Sequence, residues 1–269
     1  MEIVGALTLK VRGYEIDRWK RVPLSNLLRF TEHARWEFAI QDKSELKRLF
    51  SEDAFLVVRN QYGTLFDSAT LGDELEVNLR VSHVGGSSLT FEQQVLKHPE
   101  KSTDPKVLIA RVYVVTVYVG SDKRPRRLPK WFRDLHTELE QPERPASLQN
   151  PALNLEGFEI QIRNSDIDLL QHVNHARYVD FLQDARAECA NRGDLRGPGS
   201  HPEVAPTSFC IEYLREIRPH ERVVGYAWNE ANDDDIYVAG LVPGEAKPRF
   251  RGRLGFSSAP PGSRRPSQP

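Results

Sequence analysis

The chain has 269 residues, enough for two domains of ordinary size, each able to bury a core. Its formal charge is −1 and its basic residues are not gathered into one segment, which argues against a nucleic-acid partner. Two cysteines, Cys189 and Cys210, exclude a disulfide framework and point to a reducing, cytoplasmic setting; the absence of any run of about 18 apolar residues excludes a membrane partner.

In chain order, residues 7–12 alternate like a half-buried strand, and a helix starts near Pro23, where proline suits the first turn. That helix carries Leu24, Leu27, Leu28, Thr31, Ala34, Arg35 and Phe38 at helical spacing. After a charged connection, residues 55–60, 73–84, 88–96 and 107–119 have β character. The segment Val81-Ser-His-Val-Gly-Gly-Ser-Ser-Leu89 marks a tight turn, with positive φ expected at its glycines. Residues 120–157 are polar and proline-containing, basic at Lys123-Arg-Pro-Arg-Arg127 and then acidic. The basic run reads either as a solvated linker or as a phosphate-binding patch. The second half opens with a strand at 158–163 and a helix at 174–191, followed by strands at 208–216, 222–229, 236–242 and 249–256, with a turn at 232–235. The end of the chain lacks the apolar residues needed for a core. The expected division is a first domain at 1–120, a linker at 121–157, a second domain at 158–256 and a disordered tail at 257–269. The class is α+β, each domain a long central helix wrapped by an antiparallel sheet, whose edges two such domains can hide by joining.

The halves are related in sequence. Aligned at an offset of 151, residues 12–39 and 163–190 share nine identities in 28 positions: Arg12, Ile16, Asp17, Val22, Phe30, Ala34, Arg35, Glu37 and Ala39 recur in the second copy. Two amphipathic helices would share some of these by period alone. Arg12/Arg163 and Asp17/Asp168 precede the helix, however, and owe nothing to its period, so a duplicated domain is the better account.

The second copy concentrates the titratable groups. In Ser165-Asp-Ile-Asp-Leu-Leu-Gln-His-Val-Asn-His-Ala-Arg-Tyr178, Asp168 and His172 are four residues apart in a turning segment, a spacing that lets both side chains converge. Asn174 suits a helix N-cap, and the N–H groups and dipole of the turn after it suit an oxyanion. Glu216, near the end of the strand Phe209-Cys-Ile-Glu-Tyr-Leu-Arg-Glu-Ile217, is a candidate water-activating base if burial raises its pKa. The competing reading is a solvated carboxylate paired with Arg215 or Arg218.

These residues resemble the plant-type acyl-carrier-protein thioesterases, whose catalytic half carries Ser-Asp-Leu-Asp-x-Asn-Gln-His-Val-Asn-Asn-x-x-Tyr. The family's Leu-Glu-Tyr-Arg-Arg-Glu-Cys resembles Ile211-Glu-Tyr-Leu-Arg-Glu-Ile217, and its opening Ile-Arg-Ser-Tyr-Glu-Ile resembles Val11-Arg-Gly-Tyr-Glu-Ile-Asp-Arg18. The likeness runs in matching order over roughly residues 8–256. It implies a tandem hotdog fold and hydrolysis of acyl thioesters carried by acyl carrier protein or coenzyme A, without a cofactor or metal. The family's catalytic aspartate, histidine and glutamate fall on Asp168, His172 and Glu216. Its catalytic asparagine falls on Leu170, which offers no hydrogen bond, and its cysteine falls on Ile217, which disfavours a Cys–His covalent route.

The mechanism so implied is single-step hydrolysis: Glu216, alone or through His172, takes the proton of the attacking water, and Asp168 orients His172. The first copy has Arg21 in place of His172 and Ser68 near the position matching Glu216, so it lacks a complete acid–base set. Its expected task is to supply a pocket wall and the pseudo-dimer contact. Trp19, Trp36 and Phe38 are read there as pocket lining or as ordinary core, and Leu170 and Tyr178 as substrate contacts in the second copy. Alternatives are a dehydratase or isomerase of the same fold and a non-catalytic acyl-binding protein. The tandem is expected as a monomer, containing its own pseudo-dimer, or as a homodimer.

Overall fold

The computed structural model describes residues 5–41, 44–50, 54–101, 103–135, 142–151, 155–230 and 233–256. The expected tail at 257–269 and the first residue of the 232–235 turn lie outside them. The chain divides into two compact units, one of residues 1–63 and 67–146, the other of 64–66 and 147–269.

In the first unit, β1 (Gly5–Lys10) is followed by α1 (Leu24–Ile40), a short α2 (Glu45–Phe50), then β2 (Ala54–Leu65), β3 (Glu74–Val84), β4 (Ser88–Lys97) and β5 (Val107–Gly120), and closes with α3 (Lys130–Asp134). The second repeats the order: β6 (Phe158–Ile160), α4 (Arg177–Arg192), β7 (Ser208–Tyr213), β8 (Val223–Asn229), β9 (Ile236–Leu241) and β10 (Phe250–Gly255). The strand order is β1-β3-β4-β5-β2 in the first unit and β6-β8-β9-β10-β7 in the second. Replacing each strand of the first by its counterpart in chain order reproduces the second, so the duplication read from residues 12–39 extends to the whole topology. Registered strand pairs such as Leu7↔Val77 and Gly225↔Gly240 are antiparallel; β8 and β9 are joined as a hairpin, whereas β1 and β3 meet across the intervening helices and β2.

Each sheet buries one face on its helix. α1 packs on β1 and β3, and α4 on β6, β8 and β9. The buried residues of α4, among them Val179, Phe181, Leu182, Ala185 and Cys189, recur at helical spacing, and Val179, Leu182 and Ala185 are fully buried. Burying a side chain such as Leu182 is worth about 1.5–3 kcal/mol. The approach is close enough to require glycine in the sheet, because a Cβ on Gly252 of β10 would sit 2.2 Å from Leu182 Cδ2. α4 ends at Gly193, whose left-handed φ of 79° lets its N–H reach Ala190 O at 3.0 Å.

Arg186 lies within this core at 2% exposure. Its Nε donates to Gly199 O at 2.6 Å and its Nη2 to Val204 O at 2.9 Å and to His201 O, while the guanidinium rests 4.5 Å from the Phe256 ring centre. The matching Arg35 donates instead to Gln93 Oε1 at 2.6 Å. An identity in the repeat therefore serves two different anchors.

Three expectations change. The charged connection after α1 contains α2, which buries Leu46 and Leu49. The stretch expected as a solvated linker is partly packed: Leu128 and Phe132 are buried, since the amphipathic turn of α3 has an apolar side to cover. Gly85 and Gly86 do not adopt positive φ, because Gly85 N–H bonds Ser88 O at 2.8 Å and closes the β3–β4 turn without it.

Candidate active site

Asp168 and His172 meet in a small loop built almost wholly by backbone. Ile167 and Val173 pair as an isolated antiparallel bridge at its base. Asp168 N–H donates to His172 O at 2.9 Å, Gln171 N–H to Asp168 O at 3.0 Å, and Leu170 N–H to Asp168 Oδ1 at 2.8 Å. Gln171 takes φ 63°, the left-handed region that a side chain normally avoids, and this reversal turns the chain back so that residue 172 overlies residue 168. Asp168 Oδ2 then lies 3.4 Å from His172 Nδ1, whose other neighbour is the carbonyl of Val173 at 3.3 Å. Both neighbours are acceptors, an arrangement that favours a proton on Nδ1 and so the tautomer whose Nε2 has a free lone pair. The His172 side chain is 25% exposed, reachable by water yet held in place.

The first copy builds the same loop. Asp17 N–H donates to Arg21 O at 2.8 Å, Lys20 N–H to Asp17 O at 2.9 Å and Trp19 N–H to Asp17 Oδ1 at 2.9 Å, with Lys20 at φ 62°. Arg21 occupies the place of His172, its Nε 3.3 Å from Asp17 Oδ2. A guanidinium has no acceptor and does not deprotonate, so this loop holds the geometry without the proton chemistry.

Asp166, the first carboxylate of the motif, is structural. It is 1% exposed, accepts Arg163 N–H and Arg177 Nε at 2.8 Å each, and its carbonyl takes Asn174 N–H at 2.8 Å.

Glu216 is brought beside this loop by main chain. Val173 N–H donates to Ile217 O at 2.9 Å, so the residues next to His172 and Glu216 are bonded to each other. In the first copy Val22 N–H donates to Ala69 O at 2.8 Å, which makes Ser68 the structural counterpart of Glu216. β7 ends at Tyr213, so Glu216 stands in the following loop rather than near a strand end. Nor is it deeply buried: its side chain is 28% exposed, and Oε1 accepts Arg218 Nε at 2.9 Å and Nη2 at 2.6 Å. Its carboxylate is thus part-exposed and ion-paired with Arg218.

Two residues hold that loop. Tyr178 is 3% exposed, packed against Tyr213 and Phe250, and its Oη accepts Ile217 N–H at 3.2 Å. Burial pushes its phenol well above the usual range. Tyr178 thus presents no surface for substrate contact; it anchors the chain next to Glu216. Arg249 was not singled out from sequence, because only its fold position gives it meaning. Its Nη1 donates to Glu216 O at 2.7 Å, and its Nη2 to Glu221 Oε1 at 2.9 Å and Glu245 Oε1 at 2.7 Å.

Asn174 differs from expectation. α4 begins at Arg177 and Ala176 holds the cap position. Asn174 Oδ1 accepts Ala176 N–H at 2.9 Å and its carbonyl accepts Arg177 N–H at 2.9 Å. The N–H groups of Ala176 and Arg177 are occupied by Asn174 itself, so these two are not offered to an oxyanion. Leu170 is 47% exposed at the loop tip beside Leu169 at 77%. In the first unit Trp19 is half-exposed, with the guanidinium of Arg18 4.3 Å from its ring centre, and Trp36 is half-exposed beside Phe50 at 6.5 Å. Phe38 is core at 6% exposure.

Neither cysteine is poised as a nucleophile. Burial, with the charge of Glu212 adding to it, pushes the Cys210 thiol up to about 12, and burial also raises Cys189. No described helix is long and apolar enough to cross a membrane. No group of three or more His, Cys, Asp or Glu residues among the described residues is arranged to hold a metal ion.

Comparison with known proteins agrees with this architecture. Residues 11–136 match the Thioesterase-like superfamily, and residues 153–235 match the Acyl-ACP thioesterase C-terminal domain. Long-chain acyl-CoA thioesterase FadM of Escherichia coli (strain K12) is 26% identical over 106 residues, covering 39% of this chain and 80% of that protein. Among solved structures, an acyl-ACP thioesterase from Bacteroides thetaiotaomicron superposes with a TM-score of 0.75 at 14% identity, covering 94% of this chain and 97% of that one. The 12:0-ACP thioesterase from Umbellularia californica gives 0.70 at 16% identity, over 96% and 98%. At such identities the superpositions establish the fold, a tandem hotdog. Both halves are matched by thioesterase models, in the order expected of a thioester hydrolase similar to the acyl-ACP thioesterases.

Proposed function

We propose that the second unit is the hydrolytic half and that it cleaves the thioester of an acyl group on acyl carrier protein or coenzyme A, releasing acid and thiol. The observation that carries this reading is the Asp168–His172 couple, present in one copy of a loop whose other copy holds Arg21 in the same frame. His172 Nε2 takes a proton from water as the oxygen attacks the thioester carbonyl, and Asp168 holds the ring and stabilises the imidazolium. The proton then passes to the leaving thiolate, which needs little acid assistance. Glu216, fixed by Arg218, accepts a hydrogen bond from the same water and aligns it. Leu170 leaves the acyl carbonyl without the amide that the family pattern supplies.

The first unit is the non-catalytic half, with Trp19 and Trp36 as its candidate acyl contacts. Replacing His172 by Ala, or Glu216 by Gln, should lower kcat about 10²–10⁴-fold in a free-thiol assay on acyl thioesters. Undiminished turnover in both variants would refute the assignment.

A further inference from the structure

We propose that one end of the first unit is a contact surface for a lipid bilayer bearing anionic headgroups. The proposal does not depend on the hydrolytic reading. Three turns meet at this end: a 3-10 turn at Gly13–Glu15, the loop of residues 17–21 and the turn of residues 70–73. Gly72 N–H donates to Val11 O at 3.0 Å and Val22 N–H to Ala69 O at 2.8 Å, while Thr70 Oγ1 donates to Lys20 O at 2.6 Å. The third turn therefore lies against the start of the first and against the loop, and Gly72 closes it at φ 87°.

Each turn shows water an apolar side chain: Tyr14 is 73% exposed, Trp19 37% and Leu71 57%. Two exposed cations stand among them. Glu15 engages Arg12 and Asp17 engages Arg21, but neither Arg18 nor Lys20 meets an acid among the described residues. Asp67 and Asp73, close by, face Lys97 at 3.7 and 4.0 Å. The fold does not require this surface. The second copy closes the same loop with Leu169, Leu170 and Gln171 in the places of Arg18, Trp19 and Lys20, and Gln171 takes the same left-handed φ as Lys20. The loop frame thus tolerates either set of side chains, and the cationic, aromatic set belongs to the first copy alone.

Exposed Trp and Tyr beside unpaired Arg and Lys suit the membrane–water boundary, where amphipathic rings sit at headgroup level and basic side chains meet anionic phosphates. A free phosphate ion or an acidic polypeptide would be held by the cations and would leave Tyr14 and Leu71 in water. A bilayer uses both features at once. No described helix is long and apolar enough to cross a membrane, but a surface contact needs only a few protruding apolar side chains among cations. The sequence expectation of no membrane partner therefore bears on a span and not on this contact.

The test is co-sedimentation of the full chain with vesicles of phosphatidylcholine alone and of phosphatidylcholine mixed with phosphatidylglycerol. Two double variants, Arg18→Gln/Lys20→Gln and Tyr14→Ser/Leu71→Ser, divide the cations from the apolar side chains and leave Trp19 in place. At low ionic strength the wild type should pellet with the mixed vesicles and not with the neutral ones, and added salt should release it. The first variant should bind the mixed vesicles about tenfold more weakly or worse. The second should also bind more weakly while keeping the wild-type salt dependence. Wild-type protein that stays in the supernatant with mixed vesicles overturns the proposal, and so does equal pelleting with both vesicle types. Polyglutamate bound as tightly as the vesicles, or inorganic phosphate that releases the protein better than chloride of equal ionic strength, also overturns it, by showing that charge alone is read. Melting curves check that the variants fold. Should the first not fold, Lys20→Gln alone, which installs the residue that the second copy carries at that φ, should weaken binding by a smaller factor, and unchanged binding would overturn the proposal.

Discussion

Arg249→Met isolates the contribution of fold to site, because it keeps the aliphatic stem and removes the guanidinium alone. Three hydrogen bonds disappear: those to Glu221, to Glu245 and to the carbonyl of Glu216, all between 2.7 and 2.9 Å. The Arg249 side chain is 11% exposed, but its two carboxylate partners are 25% and 28% exposed, so water recovers part of their loss. Counting roughly 1 kcal/mol for the carbonyl bond, up to about 1 for each screened ion pair, and about 1 for repulsion between two carboxylates that converged on one nitrogen, the expected destabilisation is about 3 kcal/mol.

The same change releases the chain at Glu216, and misplacing a water-aligning group by about an ångström costs roughly 10²-fold. Expected are a lower urea midpoint and a kcat/KM reduced about 10–100-fold at temperatures where the variant remains folded. Arg251→Met is the control. Arg251 Nη2 pairs with buried Glu212 at 2.6 Å, so its loss should cost comparable stability while leaving the bonds of residues 216 and 217 untouched. The reasoning is refuted if the Arg249 variant keeps wild-type kcat/KM, or if the Arg251 variant loses as much activity.

Two further outcomes follow from local geometry. Leu170→Asn introduces an amide at an exposed tip whose backbone N–H is already held by Asp168, so stability should stay within about 0.5 kcal/mol while kcat rises; a free-thiol assay showing no rise would mean that Leu170 does not limit the rate. Glu76 is held below its ordinary value of 4.5, chiefly by the hydrogen bond from Lys106 Nζ at 2.5 Å, against an opposing effect of burial. A lowered folded-state pKa stabilises above the unfolded value and is lost as pH falls, so the melting temperatures of wild type and Glu76→Gln should differ at pH 7 and converge below about pH 4.5; curves that stay parallel would remove this pair from the pH dependence.

The convergence of Asp168 and His172 was legible because it is local: a four-residue spacing and a loop closed by its own backbone suffice to bring the two side chains together. The repeat was legible for the same reason, since Asp17 and Arg21 close an equivalent loop. Leu170 is exposed at the place where the family pattern has an amide, so the departure lies on an exposed loop and not in the core. Legibility failed where a residue's surroundings come from elsewhere in the chain. Tyr178 read as a substrate contact, but its hydroxyl is committed to Ile217 N–H. Asn174 read as a helix cap, but the helix starts three residues later and Asn174 consumes the N–H groups it was expected to expose. Glu216 read as a burial-tuned base, but its strand stops at Tyr213 and Arg218 takes its carboxylate.

From sequence alone follow the duplicated order of strand, helix and four strands in each half, the helical spacing of the core faces, and the pairing of Asp168 with His172 in the second copy where the first has Asp17 with Arg21. These depend on periodicity and on neighbours within a few residues, which a chain carries wherever it folds. Tertiary structure alone decided that Val173 and Ile217 are bonded, that Arg249 reaches Glu216 across 33 positions of sequence, and that the basic run is an anchored hairpin and not a loose linker. Those contacts are set by how strands and loops pack in three dimensions, and no local pattern encodes the partner of a buried guanidinium or of an exposed one.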